Sequence, residues 1–317
     1  MPNTIIDLLA RGAPTAVAIS SPGRPDLSYA ALRDQVKATI SALNGLGVGR
    51  DDAVAIVLPN GPEMAVAFVA IAAGATTAPL NPAYTADEFE FYLQDLAARL
   101  LVVEAGSTSP AVPMARKLGI PIAELKVPPG AAAGQFQLHG VAGQASRPGP
   151  AAAGDVALVL HTSGTTSRPK IVPLTHVNVC ASAESIALSL ALSPADRCLQ
   201  VMPLFHIHGL IAAVLSSLHA GASVCCTPGF NALQFFTQLR DVRPTWYTAV
   251  PTMHQAILAR AERNRETIEA APLRLIRSSS ASLPPQVMMA MEATFGCPLL
   301  EAYGMTEAAH QMTSNPL

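Results

Sequence analysis

The sequence predicts an α/β fold of layered, mainly parallel sheets, on three observations. Apolar runs of strand length recur along the chain and alternate with segments of helical period. Within those runs consecutive positions are apolar, as expected for strands covered on both faces. Hydrophobic residues make up 50% of the 317 positions and charged residues 13%, against a usual charged share of about 25%. That composition excludes a disordered chain and supplies a sizeable core. The length corresponds to about two domains or one large one.

The elements follow in order. Leu32, Val36, Ile40 and Leu43 keep helical spacing behind a Ser28 cap, and Gly45 and Gly47 end that helix. AVAIVL at 53–58 is a strand closed by Pro59, Asn60, Gly61 and Pro62. A helix over 63–73 and a strand over 75–80 come next. Thr85 and Glu88 form a capping box, in which each side chain satisfies the other residue's orphan amide, and 100–104 is a further strand. Residues 126–154 are rich in Pro, Gly, Ala and Gln without apolar period, which predicts a surface loop or linker between subdomains at 1–125 and 155–317. In the second part strands are expected at 156–161, 199–202, 223–226, 246–249, 275–277 and 298–302. Helices are expected at 175–192, 208–219, 231–241, 251–265 and 284–295.

Several function classes are disfavoured. Net charge is −2 with no basic block, and aromatic residues are 5%, so no nucleic-acid surface is expected. Positions 198–239 carry no Asp, Glu, Lys or Arg, but Pro203, Gly209, Gly221 and Pro228 break up the apolar stretch. It reads as a buried helix between strands, not as a membrane span. The five cysteines, Cys180, Cys198, Cys225, Cys226 and Cys297, form no CxxC. They read as small buried hydrophobes in a reducing compartment, with vicinal Cys225 and Cys226 on opposite faces of a strand. MPNTIIDLLARG lacks the features of a signal peptide, so a cytoplasmic location is expected. A peroxisomal signal of a longer parent would lie beyond what can be read. No GxSxG or HExxH is present, and no GxGxxG follows the first strand.

Four motifs carry chemistry, each at the carboxyl end of an expected strand, where open parallel sheets bind ligands. His161-Thr162-Ser163-Gly164-Thr165-Thr166-Ser167-Arg168-Pro169-Lys170 joins small hydroxyl residues to two cations. It reads as a phosphate loop that is not of Walker type, or as a polar hairpin or strand–helix loop. Glu301-Ala302-Tyr303-Gly304-Met305-Thr306-Glu307, followed by His310, offers a hydroxyl and a carboxylate at a turn. Glu307 is a candidate Mg²⁺ ligand or a solvated loop residue. Pro203-Leu204-Phe205-His206-Ile207-His208-Gly209 has an HxH without further ligands at metal spacing, which favours one exposed and one buried histidine. Arg277-Ser278-Ser279-Ser280-Ala281-Ser282-Leu283 runs from a strand end into small residues suited to a flat ligand.

Together these motifs resemble those of the adenylate-forming enzymes, which include acyl- and aryl-CoA synthetases and firefly luciferase. TSGTTSRPK at 162–170 is similar to the family's phosphate loop, with Ser167 where many members carry glycine. PLFHIHG at 203–209 is similar to its gate segment and YGMTE at 303–307 to its metal-and-phosphate motif. The stretches 245–258, 277–283 and 301–315 most resemble oxalate–CoA ligases. The resemblance implies a carboxylate activated by ATP and Mg²⁺ to an acyl-adenylate and then passed to coenzyme A. Thr162, Ser163, Gly164, Thr165, Thr166 and Lys170 would hold the β- and γ-phosphates, Thr306 the α-phosphate and Glu307 the metal. Ser280, Ala281, Ser282, Glu301, Ala302 and Tyr303 would line the adenine pocket. His206, Ser280 and His310 would meet oxalate, with a histidine protonated beside the dianion, or His206 would be only the gate residue. Lys170, His206, Thr306 and Glu307 are the candidate catalytic residues. The family continues past the equivalent of Leu317 into a C-terminal domain, so little ligase activity is expected of these residues alone. The alternatives are a short- or medium-chain acyl-CoA synthetase, an inactive nucleotide-binding remnant, and a partner-binding fragment.

Overall fold

The computed structural model describes residues 2–162 and 169–317. A helix over Ile5–Leu9, held by a Thr4/Asp7 capping box, leads to β1 (Val17–Ser20) and β2 (Leu27–Ser28). The Tyr29–Gly45 helix starts at the expected cap, where Ser28 accepts from the Ala31 amide. β3 (Ala53–Val57), β4 (Thr76–Pro79), β5 (Leu100–Glu104) and β6 (Ile122–Lys126) then alternate with helices at Pro62–Ala72, Ala86–Asp95 and Ala111–Lys117. The Thr85/Glu88 capping box is formed. After β7 (Gln137–His139), β8 (Val156–Thr162) and β9 (Lys170–Thr175) comes the His176–Ser189 helix, and then β10 (Arg197–Gln200). A π-helical segment, His208–Leu215, continues as an α-helix over Ser216–His219 into β11 (Ser223–Cys226). β12 (Trp246–Ala249), β13 (Leu275–Ser278), β14 (Leu299–Met305) and β15 (His310–Ser314) complete the strands. Helices at Phe235–Val242, Pro251–Ala261, Arg265–Ala270 and Pro285–Phe295 lie between them.

The strands form two mixed, mostly parallel sheets, ordered β7-β6-β5-β3-β4-β8-β9 and β15-β14-β13-β12-β10-β11-β1-β2. In each, a parallel centre is bordered by an antiparallel strand on either side: β7 and β9 in the first, β15 and β2 in the second. Three hydrophobic clusters explain the layering. The largest takes Val54, Ile56 and Val102 from one face of the first sheet and Cys198, Val224, Cys226 and Trp246 from one face of the second. The others cover the outer faces, with Ala55, Val57 and Val103 in one and Leu199, Cys225 and Tyr247 in the other. Cys225 and Cys226 thus face opposite ways, and all five cysteines are buried and unpaired. The Pro62–Ala72 helix sits in the central layer against β4, β11 and the π-helical segment, with every residue buried except Glu63. Glu63 pairs with Arg24 at the helix start.

Sheet membership cuts across the expected division of the chain. β8 and β9 belong to the first sheet, while β1 and β2 belong to the second. Segment 126–154 contributes β7 and is tied to the first part of the chain: Gln35 donates to the Phe136 carbonyl, the Gly143 amide to Gly45 and the Ala151 amide to Ala73. Strands β1, β2, β6 and β7 were not expected, and nor were two strands at sheet borders, β9 and β15. Each of these last two is an antiparallel return with mixed exposure, so neither carries the apolar run that marks the parallel strands. Among the described residues no helix is long and apolar enough to cross a membrane.

Candidate active site

All four motifs lie at the carboxyl ends of strands. β8 and β9 form a hairpin in which Thr162 pairs with Lys170, half-buried and exposed respectively. Ser163, Gly164, Thr165 and Thr166 lie outside the described residues. Pro169 is followed by strand rather than helix, and the next helix begins only at His176, behind the Thr175 cap. Ser280, Ala281, Ser282, Glu301, Ala302 and Tyr303 line one cavity of about 520 Å³ between the loop after β13 and strand β14. Two side-chain bonds hold that loop in place. Ser279 Oγ donates to the Ala302 carbonyl at 2.8 Å, and the Leu283 amide donates to Glu301 Oε1 at 2.8 Å.

The backbone is strained here. Ser280, Ala309 and His310 have φ of 74°, 52° and 96° without being glycine, a cost that folded proteins concentrate at functional sites. Gly304 is required by crowding, because a Cβ there would fall 1.5 Å from the His310 carbonyl oxygen. Gly209 similarly passes close to the Pro203 carbonyl, which a Cβ would meet at 2.5 Å. This lets the π-helical segment begin directly behind the His206 loop. His206 is exposed and His208 is fully buried.

Thr306 is half-buried and Glu307 exposed, at the turn from β14 into β15. Glu307 shares a second cavity of about 400 Å³ with Pro173 and Leu174 of β9 and Ser182 of the following helix. Its carboxylate has no ion-pair partner among the described residues. No three metal-ligating side chains converge among the described residues. Glu307 is thus a single exposed carboxylate, and a hard cation held there would take the rest of its shell from phosphate oxygens and water.

Behind Ser280 lies a buried polar cluster. His208 Nδ1 is 3.0 Å from Ser280 Oγ and its Nε2 is 2.6 Å from Thr248 Oγ1. Arg277, 0% exposed, reaches Gln311 Oε1 at 3.0 Å, His310 Nε2 at 3.3 Å and Thr248 Oγ1 at 3.3 Å. The His208 and His310 rings stack with centroids 4.9 Å apart. Burial, then the neighbouring His310 and Arg277, pushes His208 well below the ordinary imidazole range. Burial, then Arg277 and His206, does the same to His310. The fixed positive charge of this cluster belongs to Arg277, which together with burial opposes protonation of His310. Burial lowers Arg277 to about 9, still above neutral pH. Arg277, Thr248 and Gln311 were not singled out as individual site residues from the sequence. A charge interrupting the apolar run Leu275-Ile276 was the available signal.

The model of the AMP-binding enzyme family matches residues 7–317. The oxalate–CoA ligase of Arabidopsis thaliana is 44% identical over 322 aligned positions, covering 99% of this chain and 62% of its own length. The Saccharomyces cerevisiae oxalate–CoA ligase is 39% identical over 294 positions, covering 85% of this chain and 53% of its own. The ATP-bound structure of MatB from Rhodopseudomonas palustris superposes with a TM-score of 0.82 at 28% identity, over 100% of this chain and 62% of that one. The chain thus spans between half and two thirds of these relatives. With the family model matched almost from end to end and the four motifs gathered at the strand ends, this chain belongs to the AMP-binding, adenylate-forming enzymes.

Proposed function

We propose that this chain is the nucleotide- and acid-binding part of an ATP-dependent acid–CoA ligase whose acid is a small carboxylate, oxalate foremost. The observation that carries the reading is the 520 Å³ cavity in which loop 280–282 and strand residues 301–304 converge, two residues ahead of Thr306 and Glu307. The oxalate–CoA ligases at 44% and 39% identity support the choice of acid. The ATP-bound MatB structure supports the choice of nucleotide. In the first half-reaction a carboxylate oxygen attacks the α-phosphorus of ATP and pyrophosphate leaves. In the second the coenzyme A thiol, giving up its proton, attacks the acyl carbon and AMP leaves. No protein nucleophile is consumed, so catalysis is positioning and charge stabilisation.

Thr162, Ser163, Gly164, Thr165, Thr166 and Lys170 take the β- and γ-phosphates in this reading, and Thr306 the α-phosphate. Ser280, Ala281, Ser282, Glu301, Ala302 and Tyr303 enclose the adenine. His206, Ser280 and His310 meet the acid. Glu307 would hold Mg²⁺, which when bound draws charge from the phosphates. The C-terminal domain implied by the family resemblance would complete the coenzyme A site. One feature favours a second reading, a short- or medium-chain acyl-CoA synthetase: an apolar cavity of about 330 Å³ beside the gate, lined by Leu58, Leu80, Leu204, Phe205, Phe230 and Met253.

Calorimetry of Mg·ATP binding, with and without oxalate, tests the proposal on this chain. Saturable ATP binding, weakened about tenfold or more by Lys170→Ala through loss of a charge-assisted contact, is expected. Oxalate should bind the ATP-loaded chain while butyrate and hexanoate do not. ATP binding indifferent to Lys170→Ala would remove the phosphate assignment, and preference for hexanoate would establish the second reading.

A further inference from the structure

The Arg277 guanidinium is buried without an acidic partner. No carboxylate lies within ion-pair distance of it among the described residues, and residues 1 and 163–168 include no Asp or Glu. Its Nε has no hydrogen-bond partner. A buried charge that no acid compensates is expensive for a fold to keep, and Arg stays protonated in proteins. The partners it has are hydroxyl, amide and imidazole groups gathered from three separate parts of the chain.

Proton bookkeeping shows what this arrangement does. A guanidinium only donates. Facing His310 Nε2 at 3.3 Å, it makes that nitrogen an acceptor, so the neutral His310 ring carries its proton on Nδ1. Thr248 Oγ1 accepts from Arg277 and turns its own hydroxyl hydrogen to His208 Nε2, at 2.6 Å. His208 Nδ1–H then donates to Ser280 Oγ at 3.0 Å. Ser280 is exposed to the cavity, and its oxygen has accepted a bond from behind. Its hydroxyl hydrogen is left to donate outward, away from the buried cluster.

We propose that Arg277 is a positioning and specificity residue for the second, non-reacting carboxylate of a dicarboxylic acid. It holds His208 and His310 in their Nδ1–H forms so that Ser280 donates outward, and it supplies the fixed positive charge that the second carboxylate balances. The inference rests on the small-diacid reading of the site and deepens it. A monocarboxylate spends its one charge at the reacting centre and brings only apolar carbon to this donor array, leaving Arg277 uncompensated. A diacid completes the charge balance without a proton moving.

The test uses the ATP-loaded chain and two probes, oxalate and acetate. With Arg277→Gln, oxalate affinity should fall about tenfold or more, the scale of one lost charged interaction, while acetate and ATP affinities hold. Arg277→Lys, which keeps the charge but loses the fork, should recover part of the loss. An equal loss for both acids, or for ATP, means that Arg277 merely holds β15 in place and overturns the proposal. Long-range ¹H–¹⁵N spectra of the wild-type chain test the proton placement without any variant, should the variants fail to fold. His208 and His310 are expected as neutral Nδ1–H tautomers at pH 7, and an imidazolium or an Nε2–H form at His310 overturns the proposal. Absence of oxalate binding by the wild type, with the Nδ1–H tautomers present, would instead locate the failure in the diacid reading.

Discussion

Gly304 shows how one residue joins backbone crowding to the site. It pairs with Gln311 at an irregularity in the β14–β15 register, where His310 bends back over it. A methyl group there must move backbone, since the atom it meets is a carbonyl oxygen and not a flexible side-chain end. Gly304→Ala should therefore cost about 1–3 kcal/mol, as overpacking does, read as a lower urea midpoint. It should also weaken Mg·ATP binding, because Gly304 and β15 both border the 520 Å³ cavity. Unchanged stability would mean that the hairpin is looser than described. The positive φ of His310 lies at the same crowded turn.

The layers depend on two kinds of contact between elements. The Pro62–Ala72 helix is buried all round except at Glu63 and rich in alanine, so neighbouring elements approach closely on both sides. Ala67 is 0% exposed, so a larger side chain there must be fitted inside the central layer. Ala67→Leu should destabilise by about 1–3 kcal/mol, measured by chemical denaturation, and a stability gain would show a void in this layer. The second contact is polar. Arg50 ahead of β3 donates to Asp155 ahead of β8 through Nε at 2.6 Å and Nη2 at 3.0 Å, and the Ala152 amide adds a third bond at 2.7 Å. The Arg50 bond holds the Asp155 carboxyl below its ordinary range, against the opposing effect of burial. A carboxyl depressed in the folded state adds stability that is complete above the unfolded value of about 4 and is lost as pH falls below it. The urea midpoint should fall between pH 6 and pH 3, and Arg50→Gln should make that fall shallower. Parallel pH profiles for variant and wild type would remove Asp155 as a source of acid sensitivity.

At the scale of the whole molecule, the motifs follow strands of both sheets in the sequence, and β9 and the turn at Glu307 share one cavity. β8 and β9 belong to the first sheet, whereas Ser280, Thr306 and Glu307 follow strands of the second. A nucleotide that contacts both groups ties the sheets together, so ligand binding and global stability are linked. In the proposed function, saturating Mg·ATP raises the thermal midpoint of the wild type, and the Lys170→Ala variant forfeits most of that rise.

Much of this was legible in the sequence, because the relevant signals are local. The buried parallel strands show as unbroken apolar runs, the caps at Thr85 and Ser28 as single side chains at helix starts, and the four motifs as polar residues directly after strands. The opposite facing of Cys225 and Cys226 follows from the period of a strand alone. Only the tertiary structure decided the rest. β9 and β15 are return strands of mixed exposure, stabilised by the strands they pair with and not by a pattern of their own. The assignment of β1 and β2 to the second sheet and of β8 and β9 to the first follows from burial of a shared central layer. The Arg277 cluster joins positions 29, 33 and 69 residues apart. No local period marks such a meeting. The partners of a buried charge are chosen by long-range packing, which sets how it is desolvated and which donors and acceptors come within reach.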